Sequence, residues 1–535
     1  MRYVPEIFED TFIKLTLVSM IILLFNILTD MHMLRMEVFI PVLLLLGIPY
    51  MIGPDDQKQK SRVRSEVLWI SLISVAILSF FIRYYQYFFM NIPPGYDPGL
   101  YKYGFDTYIT SLPYIPERDL PEWFKEMFPQ GIFLLGDVLY VVAGLRSTET
   151  IMIFIPLVCG LMVFPLFAVS ENISGQRGAL ISVTIYLLSA TQYMLFEYSY
   201  LKNIIGIFLI LISILLLQKE KYVVAAVIYA ALSIYHRPHF LLISIVLLFW
   251  LLETRDRKIY FTFIIAAVLM LPFWVQRMEL GISMLNGLAD VVLNNLSGEA
   301  SIQGGTFLTF SKYTYLSLPY IAFGLLGFMK MSLNKRREQV FYFTLVTGIM
   351  IILKIVFFRR YLATLDIFLI ILAGGCIETI LTKKRKELQT YRNLILLLIV
   401  INGSALVYGQ MTENNRFISD RDLRDIEWMA TNIGPNGHIL TTVYDAPWVL
   451  GWGKHPVIAP GLFQWDVYTQ AEWAEFLSTS DPQLTVQFVS KYKDEIYIYD
   501  SINMLGTELD KYSSKEFQLI RENKGKIYRY AGSVR

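Results

Sequence analysis

Charge is scarce in this chain of 535 residues. Asp, Glu, Lys and Arg make up 17% of it, against 55% hydrophobic residues. A soluble domain carries about 25% charged residues, so the whole chain does not read as a soluble globular protein. Cysteine is scarcer still. Cys159 and Cys376 both stand in apolar runs, which excludes a disulfide framework and a CxxC metal pattern; both read as small apolar core residues. No P-loop, GxSxG, HExxH or zinc-knuckle pattern occurs, and nothing suggests a nucleotide-driven pump. Neither sign of charge dominates: 47 basic and 45 acidic residues give a net charge of +2, which by itself argues neither for nor against nucleic acid; no nucleic-acid partner is expected. The apolar runs also lack the dense charges of a proton-coupled transporter. Repeats and low-complexity tracts are absent.

What the chain has instead is length of apolar sequence. Mean hydropathy is +0.47, and runs of about 16–22 residues suffice to cross a hydrocarbon core of about 30 Å as helices. They fall near 11–29, 37–53, 66–89, 150–169, 178–195, 203–218, 221–235, 239–252, 259–275, 315–330, 338–357, 361–380 and 393–410, which predicts about thirteen spans. The N-terminus lacks a compact basic region and a small-residue cleavage site, so it reads as a short cytoplasmic tail and not a cleavable signal peptide. Basic clusters at Lys58, Lys60, Arg62 and Arg64, at Lys219 and Lys221, at Arg255, Arg257 and Lys258, at 335–337 and at 383–386 all fall on one side of that count. The positive-inside bias makes it the cytoplasm. The parity requires that 131–145, which carries Asp137, does not span; an interfacial or re-entrant helix fits it better. The expected architecture is a mostly α, polytopic membrane bundle over 1–410, with a first outer loop at 90–149. A small extracytoplasmic α/β domain of 411–535 follows, its strands at HILTTVYD, DEIYIYDS, EFQLIREN and KIYRYAG.

The outer loops hold the polar residues that need a reason. The first contains PPGYDPGLYKYGFDTY. Asp97 at the exit of a span can act as a general base or ligate a divalent metal; it can equally cap a plain β-turn stiffened by Pro93, Pro94, Pro98 and Gly99. Asp106 and the acidic group at 117–126 read as solvated charges, and helical register puts Asp97 and Asp106 on different faces. The loop YHRPH places His236, Arg237 and His239 within four residues. It can clamp phosphate or be a polar hairpin. FFRRY puts Arg359 and Arg360 on the side where arginine is disfavoured, to bind an anionic headgroup or to snorkel to ordinary phospholipid. Glu197 and Lys202 sit at a span boundary, where Lys202 can touch phosphate or the pair can cap a helix. Asp366 lies inside a span and needs an arginine or a polar neighbour. The loop 276–314 holds Arg277, Glu279, Asp290, Gly304 and Gly305.

Taken together, GYDPGLY, PQGIFLLGDVLYVVAGL, YHRPHFLL, RRYLATLDIFLIILAGG and the outer tail resemble the GT-C class of membrane glycosyltransferases. Those enzymes take a sugar from a polyprenyl-phosphate or polyprenyl-diphosphate donor at the outer face. The tail DIEWMATNIGPNGHILTTVYDAPWVLGW loosely resembles oligosaccharyltransferase catalytic subunits, but TVYDAP stands where their WWDYG would. The resemblance implies a polytopic enzyme of the cell membrane transferring a sugar to a glycan, lipid or protein acceptor. It implies Asp97 as catalytic base, and His236, Arg237, His239, Arg359, Arg360, Lys202 and Tyr101 as donor-phosphate contacts. Glu197 or Asp106 would be a second acid or a ligand to a divalent metal, Mg or Mn. An inverting displacement is expected. Oligosaccharyltransferase-like transfer to protein, and transport or flipping of a lipid-linked glycan, are the alternatives.

Overall fold

The computed structural model describes residues 3–29, 39–51, 63–89, 92–116, 120–275, 307–334, 338–355, 358–382, 388–413, 417–463, 467–501, 510–523 and 525–533. Lys58, Lys60, Arg62, Glu117 and Asp119, the loop stretch 276–306 and the basic clusters 335–337 and 383–386 lie outside them. Each of the thirteen expected apolar segments falls on helix. Among the described residues, eight helices are long and apolar enough to cross a membrane, or nine if the bent pair Phe310–Ser317 and Ile321–Leu333 is one span. This is an integral membrane protein.

One of the eight is a 41-residue stretch, Ser147–Leu187, and it is not one rod. Tyr186 donates its hydroxyl proton to the carbonyl of Cys159 at 2.8 Å. In a single helix those residues would stand about 40 Å apart. The chain turns back at Gly175, whose φ of 80° and ψ of 176° belong to a region that is essentially glycine-only. The expected pair of segments is therefore a hairpin.

Contacts divide the chain into two compact units: Met1–Gln86 with Ile155–Phe196 and Tyr200–Asn414, and Tyr87–Phe154 with Glu197–Ser199 and Asn415–Arg535. In the first, helix directions follow from side-chain partners. Arg392 meets Glu9 at 2.7 Å and Asn402 donates to the carbonyl of Met20, so Tyr3–Thr29 and Gln389–Thr412 run parallel. Gly324 packs on Leu369 and Gly327 on Leu372, so Ile321–Leu333 and Tyr361–Thr382 also run parallel. Gly178 lies against Gly374 and Ser182 donates to the carbonyl of Ile371, so the second arm of the hairpin is antiparallel to Tyr361–Thr382. These directions are those of the thirteen-segment alternation with 131–145 left out. At one end of the bundle Lys258 pairs with Glu220 at 2.8 Å, joining the basic turns at 219–221 and 255–258.

Inside the bundle, Asp366 is fully buried. It accepts from Tyr320 at 2.7 Å, from Gln192 at 2.9 Å and from Ser189 at 3.0 Å. Its neighbours are polar, one of the two kinds of partner a carboxylate there requires. Tyr320 stands at the 92° break between Phe310–Ser317 and Ile321–Leu333.

The second unit carries a five-stranded sheet: β1 (Gly437–Leu440), β2 (Val457–Ile458), β3 (Glu495–Asp500), β4 (Phe517–Glu522) and β5 (Lys526–Tyr530), in the order β2-β1-β3-β5-β4. β1 is parallel to both neighbours, and β3, β5 and β4 are antiparallel in turn. The four expected strands are present. HILTTVYD is shorter than expected, because Thr442 bonds Asp445 at 2.6 Å and closes a turn after Leu440. The core gathers Tyr468, Trp473, Phe476, Phe488, Tyr492 and Tyr512. Capping boxes at Ser419 with Asp422 and at Thr469 with Glu472 start two of its helices, satisfying N–H groups that would otherwise lack partners. The loop 87–154 falls in this unit with the tail, whereas the expected boundary near 410 left it with the bundle.

Candidate active site

In the first unit, three separated stretches of sequence bring their cations together. Tyr200 precedes the helix Leu201–Gln218, and its ring lies 4.9 Å from the guanidinium carbon of Arg360. Lys202 is almost buried. Two residues after the helix Tyr222–Tyr235, the helix Arg237–Thr254 is under way, with Pro238 in its first turn, where the missing N–H costs nothing. The sharp reversal leaves His236 and His239 buried with their Nδ1 atoms 2.8 Å apart. Only one proton fits between two such nitrogens, so one ring donates and the other accepts. His239 Nε2 lies 2.7 Å from Thr364 Oγ1, and the Tyr361 hydroxyl donates to the carbonyl of Pro238 at 3.0 Å. A methyl group added at Gly206 would sit 2.1 Å from His239 Nδ1; a bare glycine lets that helix close on the pair. Lys202 and Arg360 are near enough for their charges to act on His236, whose Nε2 is buried with no hydrogen-bond partner.

Lys202, His236, His239 and Arg360 therefore share one neighbourhood. Arg359 lies 6.0 Å from the ring centre of its neighbour Phe358.

In the second unit, Asp97 is the residue before the helix Pro98–Ser111. Its φ of −77° and ψ of −11° are already helical, unlike the extended backbone usual at that place, and its side chain makes no capping hydrogen bond to that helix. The segment is held on two sides. A methyl group at Gly95 would lie 3.0 Å from the carbonyl oxygen of Glu197 and 2.8 Å from the carbonyl carbon of Tyr198, and Ser199 donates to the carbonyl of Pro94. On the other side Tyr96 donates to the carbonyl of Val443 at 2.8 Å, so TVYDAP meets the Asp97 loop. Burial pushes the Tyr96 hydroxyl up from its ordinary pKa, with the charges of Asp97 and then Asp445 adding. Asp445 is itself committed to Thr442 and Ser501. Glu197 is buried. Tyr101 is fully buried and meets Phe128 edge-on at 5.5 Å. Asp106 is paired with Lys102 at 2.5 Å, one turn away on its own helix.

Sequence reading passed over the pairing of His236 with His239, the contact of Tyr96 with Val443, and the arginine Arg83. The first two are contacts whose partners no local pattern names. Arg83 is different: a lone charge inside an apolar run is itself a signal.

The arrangement was compared with known proteins. No family model matches the sequence, and no curated protein matches it. Solved structures do. The oligosaccharyltransferase AglB from Archaeoglobus fulgidus, in complex with an inhibitory peptide and a dolichol-phosphate, aligns with TM-score 0.60 and 12% identity, over 83% of this chain and 70% of that one. The same protein also matches as its complex with Zn and sulfate. ArnT from Cupriavidus metallidurans bound to undecaprenyl phosphate aligns with TM-score 0.57 and 13% identity, over 88% of this chain and 99% of that one. The arabinofuranosyltransferase AftD from Mycobacteria gives TM-score 0.58 and 13% identity, over 88% of this chain and 40% of that one. The fold is that of the GT-C glycosyltransferases. Within the GT-C fold of this chain, Asp97 heads the first helix after a span, and the late FFRRY segment carries Arg360 into the helix Tyr361–Thr382.

Proposed function

We propose that the chain is a membrane glycosyltransferase that moves a sugar from a polyprenyl-phosphate-linked donor to an acceptor at the extracytoplasmic face. The observation that carries this reading is the convergence of Lys202, His236 and Arg360 in a chain of GT-C fold. Phosphate on a lipid is the anion that such a cluster in a membrane bundle would meet, and arginine suits it through paired N–H donors. AglB and ArnT are seen with dolichol-phosphate and undecaprenyl phosphate, which supports the same donor class here.

In this mechanism the carboxylate of Asp97 takes the acceptor proton as the acceptor oxygen attacks the anomeric carbon. The bond from that carbon to the phosphate oxygen breaks with inversion, and the electron pair leaves on the lipid phosphate. Lys202, His236 and Arg360 stabilise the charge that develops there. Among the described residues no three His, Cys, Asp or Glu side chains come together to hold a metal. Asp97 and Glu197 are the carboxylates that would hold Mg or Mn, in the manner of Mg bound by one or two carboxylates plus phosphate oxygens. A metal held there would offset the negative charge of the donor phosphate.

The test uses the purified chain in lipid nanodiscs with a panel of polyprenyl-phosphate-linked sugars, and reads release of polyprenyl phosphate. Asp97→Asn is expected to lower turnover by about 100- to 10,000-fold, the usual worth of a general base, with binding of undecaprenyl phosphate retained. Full turnover in a folded Asp97→Asn protein removes the assignment. Movement of the intact lipid-linked sugar across liposomes, with no phosphate released, would make the chain a transporter instead.

A further inference from the structure

Arg83 lies in the helix Ser65–Tyr84, in the first unit, and is buried to 1% exposure. Its Nη1 donates to the carbonyl and the hydroxyl of Ser79 at 3.1 and 2.8 Å. Its guanidinium carbon lies 5.3 Å from the ring centre of Tyr186. The titratable groups around it are the uncharged side chains of Tyr186, Cys159 and Tyr193; among the described residues it pairs with no carboxylate. Its Nε is buried without any hydrogen-bond partner. Ser79 donates to the carbonyl of Cys159 at 3.3 Å, the Tyr186 hydroxyl donates to the same carbonyl, and the buried Gln86 gives its amide proton to Tyr193 at 2.6 Å.

A guanidinium does not shed its proton in a protein. Withdrawing it from water without a counter-charge costs several kcal/mol in order of magnitude, and one cation–π contact with two neutral acceptors offsets a part of that. The edge formed by Nε and Nη2 is the one that Ser79 leaves open, and two parallel N–H groups on one edge match a pair of oxygens on a tetrahedral oxyanion.

We propose that Arg83 is an anion-binding residue of a second site, separate from the Lys202, His236 and Arg360 cluster, which takes a phosphate group through its Nε–Nη2 edge. The site stands whether or not the chain transfers sugar, because it rests on an uncompensated buried charge and not on a reaction. The phosphate comes either from a lipid headgroup or from free phosphate.

Thermal unfolding and equilibrium binding of the full chain in detergent distinguish the cases, with undecaprenyl phosphate in one arm and inorganic phosphate in the other. Arg83→Met keeps the stem and removes the charge. It is expected to melt at or above the wild-type temperature without phosphate, and to lose part of the rise that phosphate gives the wild type. The arm that shows the loss identifies the source. In an Arg360→Ala, Lys202→Ala background the Arg83-dependent part of the rise persists. Should Arg83→Met not fold, Arg83→Lys keeps the charge without the fork, and its Kd for the active arm's ligand should rise about tenfold, the worth of one charge-assisted hydrogen bond. An Arg83→Met protein that melts lower than the wild type without phosphate and keeps the whole phosphate-dependent rise makes Arg83 a structural strut and ends the proposal. An unchanged Kd in Arg83→Lys does the same.

Discussion

Gly99 shows how closely the segment around Asp97 is fitted to the rest of its unit. A Cβ at Gly99 would lie 2.0 Å from the carbonyl oxygen of Pro447 and 2.8 Å from the amide nitrogen of Trp448, and one at Gly451 would lie 2.3 Å from the carbonyl oxygen of Gly99. These are backbone atoms, which cannot swing aside as a side chain can. Gly99→Ala is therefore expected to destabilise the second unit by about 3 kcal/mol, the upper range for overpacking a tight contact. Protease resistance and the melting of the tail domain would read it. Melting unchanged from wild type would show that the two segments separate easily. Proline and glycine around Asp97 were legible as stiffening in the sequence; that the stiffness comes from Val443 to Trp448, some 350 residues on, was not. The same division holds for the cations. His236, His239, Lys202 and Arg360 stood out because polar groups are rare in so apolar a chain, but only the fold joins His239 to Thr364 and Arg360 to Tyr200.

Asp366 ties down Tyr320, which stands at the break between two helices. That carboxylate collects three donors from three places: the hydroxyl of Ser189, the amide of Gln192 one turn later, and the hydroxyl of Tyr320 at the break between two helices. Removing it takes the shared acceptor from all three, leaving Ser189 and Tyr320 to each other and Gln192 to the carbonyl of Ala363. Asp366→Ala is expected to cost about 1–3 kcal/mol, as for leaving a buried hydrogen-bonding group without its partner. Asp366→Asn keeps an acceptor and should cost less. Reversible unfolding in mixed micelles measures both, and equal losses for the two variants would mean that carboxylate charge, not acceptor geometry, holds the bend. Sequence patterning located the helices well, because a span announces itself by about 20 consecutive apolar residues. It placed a break between 169 and 178 correctly, and Gly175 is where the chain reverses. It carried β1 too far, since TVYD has strand composition and only the bond from Thr442 to Asp445 reveals a turn.

At the scale of the whole molecule, the relative directions of the helices carry the argument about sides. Tyr3–Thr29 and Gln389–Thr412 run parallel, so an odd number of crossings lies between these two spans, and the start of the first and the end of the last lie on opposite faces of the bundle. An extra crossing at 131–145 would make that pair antiparallel. Parity says nothing of which face is cytoplasmic; that step rests on the basic turns at 219–221 and 255–258, which the Glu220–Lys258 pair ties together at one end, and on the positive-inside bias. The two native cysteines are buried and leave the background for labelling quiet. Lys219→Cys places a thiol in an exposed basic turn and Glu475→Cys one on an exposed helix of the tail domain. A membrane-impermeant maleimide applied to intact cells should modify Glu475→Cys at once and Lys219→Cys only after the membrane is permeabilised. Modification of both from outside would put an even number of crossings between turn and tail, where the thirteen-segment alternation has an odd one. Modification of Lys219→Cys alone would keep the count and invert the protein, moving Asp97 and its carboxylate to the cytoplasmic face and ending the case for transfer from a donor presented outside.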